Sequence, residues 1–216
     1  MAKSPRAEPG KKPPEARIRA RNKARILRAA VGLFAAKGFD GTHVTEIAEL
    51  SDLPKANIYY YFSTKESIYN TLIEQLIGGW DKAFDHIVAD SAPREAISAY
   101  VRAKLDYSRK HAEESRFFAN EILRGAHFLT RRHRQHMRKV TQEKANVIET
   151  WIGEKKMATV DPYHFFIMLW SATQFYADFE PLVASALQKR TMTKRDYDVA
   201  AKTITRIVLD GCAKPG

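Results

Sequence analysis

A single cysteine, Cys212, occurs among 216 residues, which leaves no partner for an intramolecular disulfide and no basis for a thiolate metal cage. Its expected role is that of a small apolar side chain near the C-terminus. Ten glycines and nine prolines are too few for a collagenous or low-complexity chain. No apolar run approaches the roughly 18 to 20 residues of a membrane span. The opening stretch MAKSPRAEPGKKPPEARIRA carries the charge of a signal peptide without its apolar centre, so the expectation is a cytoplasmic protein with no membrane partner. Also missing are a Gly-x-Ser-x-Gly turn, a Gly-x-Gly-x-x-Gly run and a phosphate loop. His133 and His136, with His127 upstream and one Asp161-x-x-His164 spacing, fall short of the paired Glu-x-x-His repeats and extra glutamates of a di-iron bundle. The chain is therefore expected to be no enzyme and to hold no metal or cofactor.

What is present suits a folded, anion-seeking protein. Hydrophobic residues make up 44% of the chain and aromatics 11%, enough to bury a core. The formal net charge is +11, and much of the excess sits at one end. Ten basic residues precede position 29, from Lys3 to Arg28, against only Glu8 and Glu15. Residues 1–17 combine Pro5, Pro9, Gly10, Pro13 and Pro14 with that charge and almost nothing apolar, so they are expected to form a flexible basic arm. As a hypothesis, the arm adds phosphate or minor-groove contacts.

Apolar spacing predicts an all-α protein. Ile26, Leu27, Ala30, Leu33 and Phe34 mark a first helix over 19–37, stopped at Gly38. A short second helix runs from a Thr42 cap to Leu50, and a third spans Lys55–Tyr61 with Pro54 in its first turn. Further helices are expected from Ser63 or Thr64 to Gly78-Gly79, then over 92–110, 113–124, 131–153, 161–177 with Asp161 as cap, and 194–212. The predicted units are the arm at 1–17, a head at 18–64 and a body at 65–216.

Residues 42–65, THVTEIAELSDLPKANIYYYFSTK, read as a helix-turn-helix. Ile47 and Ala48 pack on Ile58, while the second helix enters a major groove about 12 Å wide, where short polar side chains reach base edges. The candidate DNA-facing residues are Thr42, Thr45, Lys55, Ala56, Asn57, Tyr59, Tyr60, Tyr61 and Lys65, with the tyrosines and Lys65 suited to phosphates. The alternative is an ordinary helical hairpin whose tyrosines only pack.

The run IAELSDLPKANIYYYFSTKESIY, following a helix that ends in Lys37-Gly38-Phe39, resembles the signature of the TetR family of transcriptional regulators. Asp52 stands where that family usually has Gly, and Pro54 where it often has Ser or Thr. Asp tolerates the left-handed backbone and Pro starts helices, so both fit. The resemblance implies a homodimer on double-stranded operator DNA, with a helical ligand-binding and dimerisation body.

In the second half, YVRAKLDYSRKHAEESRFFANEIL and VDPYHFFIMLWSATQFYADF are similar to the pyrimidine-utilisation (RutR-like) branch. That implies an effector such as uracil or thymine and control of pyrimidine or related nitrogen metabolism. From the residues themselves, the segment from Tyr163 to Phe179 is aromatic around most of its circumference and so buried on more than one side. Gln174 offers bidentate amide pairing, and Trp170, Trp80 or Phe118 a stacking face. Thr173, Tyr176, Glu121 and Arg116 are further candidates. The competing reading makes Gln174 a core residue bonded to a neighbouring backbone group. Two alternatives to the whole assignment stay open: an architectural DNA-binding protein without an effector, and a TetR-like regulator of a different small planar ligand. The stripe Val199, Ile204, Ile207 and Val208 serves either a dimer face or the internal core. The basic run Arg131, Arg132, His133, Arg134, Arg138 and Lys139 reads as a solvated helix face.

Overall fold

The computed structural model describes residues 14–211, and the arm's residues 1–13, together with Cys212, lie outside them. Among the described residues there are ten helices and no strand: α1 (Pro14–Lys37), α2 (Val44–Ser51), α3 (Lys55–Tyr61), α4 (Lys65–Phe84), α5 (Pro93–Lys110), α6 (Ala112–Leu123), α7 (Arg131–Gly153), α8 (Pro162–Asp178), α9 (Glu180–Ala186) and α10 (Lys194–Gly211). No helix is long and apolar enough to cross a membrane among those residues.

Most boundaries follow the local chemistry anticipated from sequence. Gly38 takes the left-handed φ of 74° that ends α1, and the Asp161 side chain accepts from the His164 N–H at 2.8 Å to start α8. Of the two residues proposed to start α4, Thr64 is the cap, accepting from the Ser67 N–H at 3.0 Å. Three boundaries and one short helix depart from expectation. Helix α1 begins at Pro14, so residues 14–17 of the supposed arm are helical, which suits Pro in a first turn followed by Glu15. The cap of α2 is His43, whose N–H is held by Glu46 Oε2 at 3.0 Å. The expected cap, Thr42, is buried instead and donates its hydroxyl to the Gly38 carbonyl at 2.8 Å. Helix α4 runs through Gly78 and Gly79 to Phe84. At Gly79 an added Cβ would lie 2.4 Å from the Tyr107 ring, so this glycine marks a close approach of α4 to α5 rather than a helix end. The short α9, opened by Glu180-Pro181, went unforeseen.

Two cores result. In the first, Ile26, Ala30 and Phe34 of α1 meet Ile47 of α2 and Ile58 of α3, and the same cluster continues through Ile68, Tyr69, Leu72 and Ile73 of α4 to Phe117 of α6 and Leu129. Hydrophobic packing thus crosses position 64 without a break. The second core gathers Phe84, Tyr100, Trp151, Phe165, Phe166, Leu169, Ile204 and Val208. Within the expected α10 stripe, Ile204 and Val208 turn into this core, while Val199 and Ile207 face outward.

Candidate functional site

The α2–α3 pair closes around Ile47, Ala48, Ile58 and Phe62, all buried. Asp52 makes the turn between them in the left-handed region at φ 49°. Its carbonyl and carboxylate both accept from Arg25 Nη2 of α1, at 3.0 and 2.8 Å. A short polar residue is thus tolerated where glycine has free choice. With the inner face sealed, Thr45, Lys55, Ala56, Asn57, Tyr59 and Tyr60 are all exposed, in a row that a groove can receive. Arg19 lies over the Tyr60 ring at 5.8 Å, and Lys23 over the Phe62 ring at 5.4 Å, so α1 supplies cations beside α3.

Three members of the predicted DNA-facing set are placed otherwise. Thr42 is buried and offers no surface. Tyr61 is partly buried, and its hydroxyl accepts from Asn22 Nδ2 at 3.0 Å, which ties α3 to α1. Lys65 directs its ammonium inward to the carbonyls of Phe39 and Thr42 at 2.7 and 2.9 Å and lies over the Phe39 ring. Those bonds commit it to fastening the α1–α2 corner to the start of α4 rather than to a phosphate.

A second constellation sits between α4, α5, α6 and α8. Gln174 Nε2 donates to Ser115 Oγ and to Asp178 Oδ1 at 3.2 Å, and Ser115 Oγ donates to the same Asp178 oxygen at 2.7 Å. Trp80 stands edge-on to Phe118 at 4.8 Å. One turn before Gln174, Trp170 donates its indole N–H to Tyr100 Oη at 2.9 Å and stacks on Phe166. Trp80, Phe118, Trp170 and Gln174 are therefore brought to one region. Glu121, Thr173 and Tyr176 are not. Thr173 is buried and returns its hydroxyl to the Leu169 carbonyl at 2.7 Å, and the Tyr176 ring pairs with Tyr197. Glu121 accepts from Tyr69 Oη at 2.7 Å and from the Phe128 N–H at 2.6 Å, which spends both oxygens on joining α4, α6 and the segment before α7.

The residue that sequence reasoning missed here is Lys104. It is only 4% exposed, and its ammonium lies 4.5 Å from the centre of the Trp80 ring. Burial pushes its pKa down to about 7, with the Asp178 carboxylate acting in the opposite direction. A legible signal existed. Ala96, Tyr100, Lys104 and Ser108 form one i, i+4 row of α5 and all four are buried, so a lysine on that row was a charge on an inward face.

The histidines of the basic run serve packing. His136 Nε2 meets Asp81 of α4 at 2.7 Å, and His133 is buried beside the Thr130 cap. Among the described residues no group of three or more His, Cys, Asp or Glu is placed to hold a metal.

Comparison with known proteins finds both halves of the chain similar to bacterial regulators. Residues 26–72 match the family described as bacterial regulatory proteins, tetR family, and residues 73–215 match the YcdC-like protein, C-terminal region. The HTH-type transcriptional regulator RutR of Escherichia coli K12 is 34% identical over 194 residues, covering 90% of this chain and 91% of the relative. Among solved structures, a bacterial regulatory protein in the tetR family from Rhodococcus RHA1 superposes with a TM-score of 0.70 at 22% identity, over 89% of this chain and 98% of that one. AibR, solved with isovaleryl coenzyme A and operator DNA, superposes with a TM-score of 0.63 at 18% identity, over 87% and 98%.

Proposed function

The chain belongs to the TetR family of DNA-binding transcriptional regulators, and from that premise we infer that it is a dimeric, effector-responsive repressor whose ligand is a pyrimidine such as uracil or thymine. The observation that carries the ligand reading is the cluster of Gln174, Ser115 and Asp178 beside Trp80 and Phe118. The amide oxygen of Gln174, the second carboxylate oxygen of Asp178 and an aromatic face are groups that suit the N–H edge and the face of a planar ring. The likeness of the second half to the pyrimidine-utilisation branch points the same way.

Dimerisation is assigned to the outer face of α8 with α9. Ile167, Met168, Phe175, Phe179 and Leu182 are all exposed there, and a groove passes between Phe175, Leu182 and Leu187. A contiguous apolar patch of this kind marks an interface, and the outward Val199 and Ile207 of α10 extend the supply. The two heads of such a dimer must hold their recognition helices about 34 to 36 Å apart to occupy successive major grooves. Helix α4 carries both Trp80 and the head core, so a ring that wedges beside Trp80 shifts α4 and with it the head. DNA and effector then weaken each other by one common factor.

Thermal unfolding with uracil, thymine and a purine control tests the reading. At about 100 times its dissociation constant a ligand adds roughly 2.7 kcal/mol, which raises the midpoint of a chain this size by about 5 to 10 °C. A shift with the pyrimidines alone supports the assignment. No shift with either removes the pyrimidine and leaves a regulator of another ligand, or of none.

A further inference from the structure

The Lys104 ammonium has no hydrogen-bond or ion-pair partner among the described residues. It lies under the Trp80 ring, at the side of the Gln174–Ser115–Asp178 cluster, and the side chain is almost wholly enclosed. Asp178 is the one charged group whose field reaches it, yet Asp178 Oδ1 is engaged by Ser115 and Gln174. Removing an ammonium from water without giving it an acceptor costs several kcal/mol, and a methionine would fill the same volume at no such cost. Its Nζ retains a small opening to solvent, so what satisfies this charge, water or a bound group, comes from outside the chain.

We propose that Lys104 is the effector's anchoring donor, which grips an exocyclic oxygen of a planar cyclic amide or imide stacked against Trp80 and makes the site selective for rings that present an oxygen at that position. The proposal rests on the reading of this cluster as the effector site, and not on the ring's being a pyrimidine. An ammonium has three N–H donors and no acceptor, so its partner must present a lone pair. A ring that turns an amino group toward Lys104 meets it donor to donor, and a ring that turns sulfur toward it offers a poor acceptor. Such a site rejects the wrong substituent strongly because a buried charge is then left unpaired. Gln174 and Asp178 complete the complement: with Nε2 and Oδ1 held inside the cluster, Gln174 Oε1 and Asp178 Oδ2 are left to accept ring N–H groups.

Calorimetric titration of the full chain with uracil, 2-thiouracil, 4-thiouracil and glutarimide tests this, on the wild type and on Lys104→Met. The expected result is that one thio analogue binds the wild type about ten- to a hundredfold more weakly than uracil, and that Lys104→Met binds the three pyrimidines within about threefold of one another. Equal binding of the three by the wild type, or retained discrimination in Lys104→Met, overturns the assignment while leaving a pyrimidine effector in place. If the pyrimidines are silent and glutarimide binds the wild type but not the variant, Lys104 keeps its role and the pyrimidine reading falls. No heat from any of the four overturns both. The thio series on the wild type stands without the variant.

Discussion

Tyr69 donates its hydroxyl to Glu121 Oε2 at 2.7 Å across 52 residues of sequence, joining helix α4 to helix α6 within the core that runs from head into body. Glu121 is 3% exposed, and its other oxygen holds the Phe128 N–H. Burial and the neighbouring carboxylate both push the Tyr69 pKa upward, so the phenol stays protonated and donating throughout the neutral range. The pair sits where Phe34 and Phe117 also meet, which makes it a rigid link between head and body.

Tyr69→Phe leaves a buried carboxylate one donor short, a loss of about 1 to 3 kcal/mol. We expect a midpoint lower by roughly 2 to 10 °C and a smaller effect of effector on DNA affinity. Differential scanning fluorimetry reads the first, and operator titration with and without ligand reads the second. A variant that melts with the wild type removes the link from the stability account.

Lys104→Met should behave in the opposite way. The folded pKa of about 7 lies below the unfolded value near 10.4, so the penalty for burying the charge is fully present below pH 7 and fades as pH rises from 7 toward 10.4. The variant should therefore be more stable than the wild type at pH 6, by an amount on the order of a few kcal/mol, and the gap should narrow steadily above pH 7 and close near pH 10.4. Thermal melts across that range decide it. A variant less stable than the wild type at pH 6 contradicts the sign. Greater stability combined with lost effector selectivity is the pattern of a site that is strained for function.

The adjacent glycines of α4 separate cleanly. Nothing lies within 4 Å of a Cβ built on Gly78, whereas one built on Gly79 meets the Tyr107 ring at 2.4 to 2.8 Å. Gly78→Ala should raise stability by about 0.5 to 1 kcal/mol through helix propensity. Gly79→Ala should cost roughly 1 to 3 kcal/mol as α4 and α5 are forced apart. Chemical denaturation of both variants gives the comparison, and a stabilised Gly79→Ala would show that Tyr107 yields freely.

At the DNA face, Asn57→Ala should lose about 1 to 3 kcal/mol of discrimination between operator and mismatched sites if it reads a base edge. Lys55→Ala should instead weaken every sequence alike and lower the salt slope by about one. Lys65→Ala should lower thermal stability, because it releases the carbonyls of Phe39 and Thr42. An Lys65→Ala protein that melts normally but binds DNA with a reduced salt slope would restore Lys65 to the phosphate contacts. Fluorescence anisotropy over a salt series, paired with melts, separates the three.

Local and periodic signals were legible without coordinates. The 3.6-residue recurrence in Ile26 to Phe34, the Asp161-Pro162 start of α8 and the Gly38 stop of α1 depend on neighbours a few residues away, so sequence by itself determined an all-α chain and most helix limits. The exposed face of α3 was equally readable, because Ile58 alone among its residues is buried. What only the tertiary structure decided is where polar side chains spend their hydrogen bonds. Lys65, Thr42 and Tyr61 share a segment with true surface residues, yet they turn inward to carbonyls and an amide that packing brings beside them. Glu121 finds Tyr69 from 52 positions away. Gln174 and Trp80 reach one region while Tyr176 turns to Tyr197. Lys104, which the sequence reading did not single out, becomes a buried charge because α4 and α8 close over α5. A hydrophobic pattern selects which face of a helix is buried, but the partner of a buried polar atom is fixed by chain segments distant in sequence, and no local rule names them.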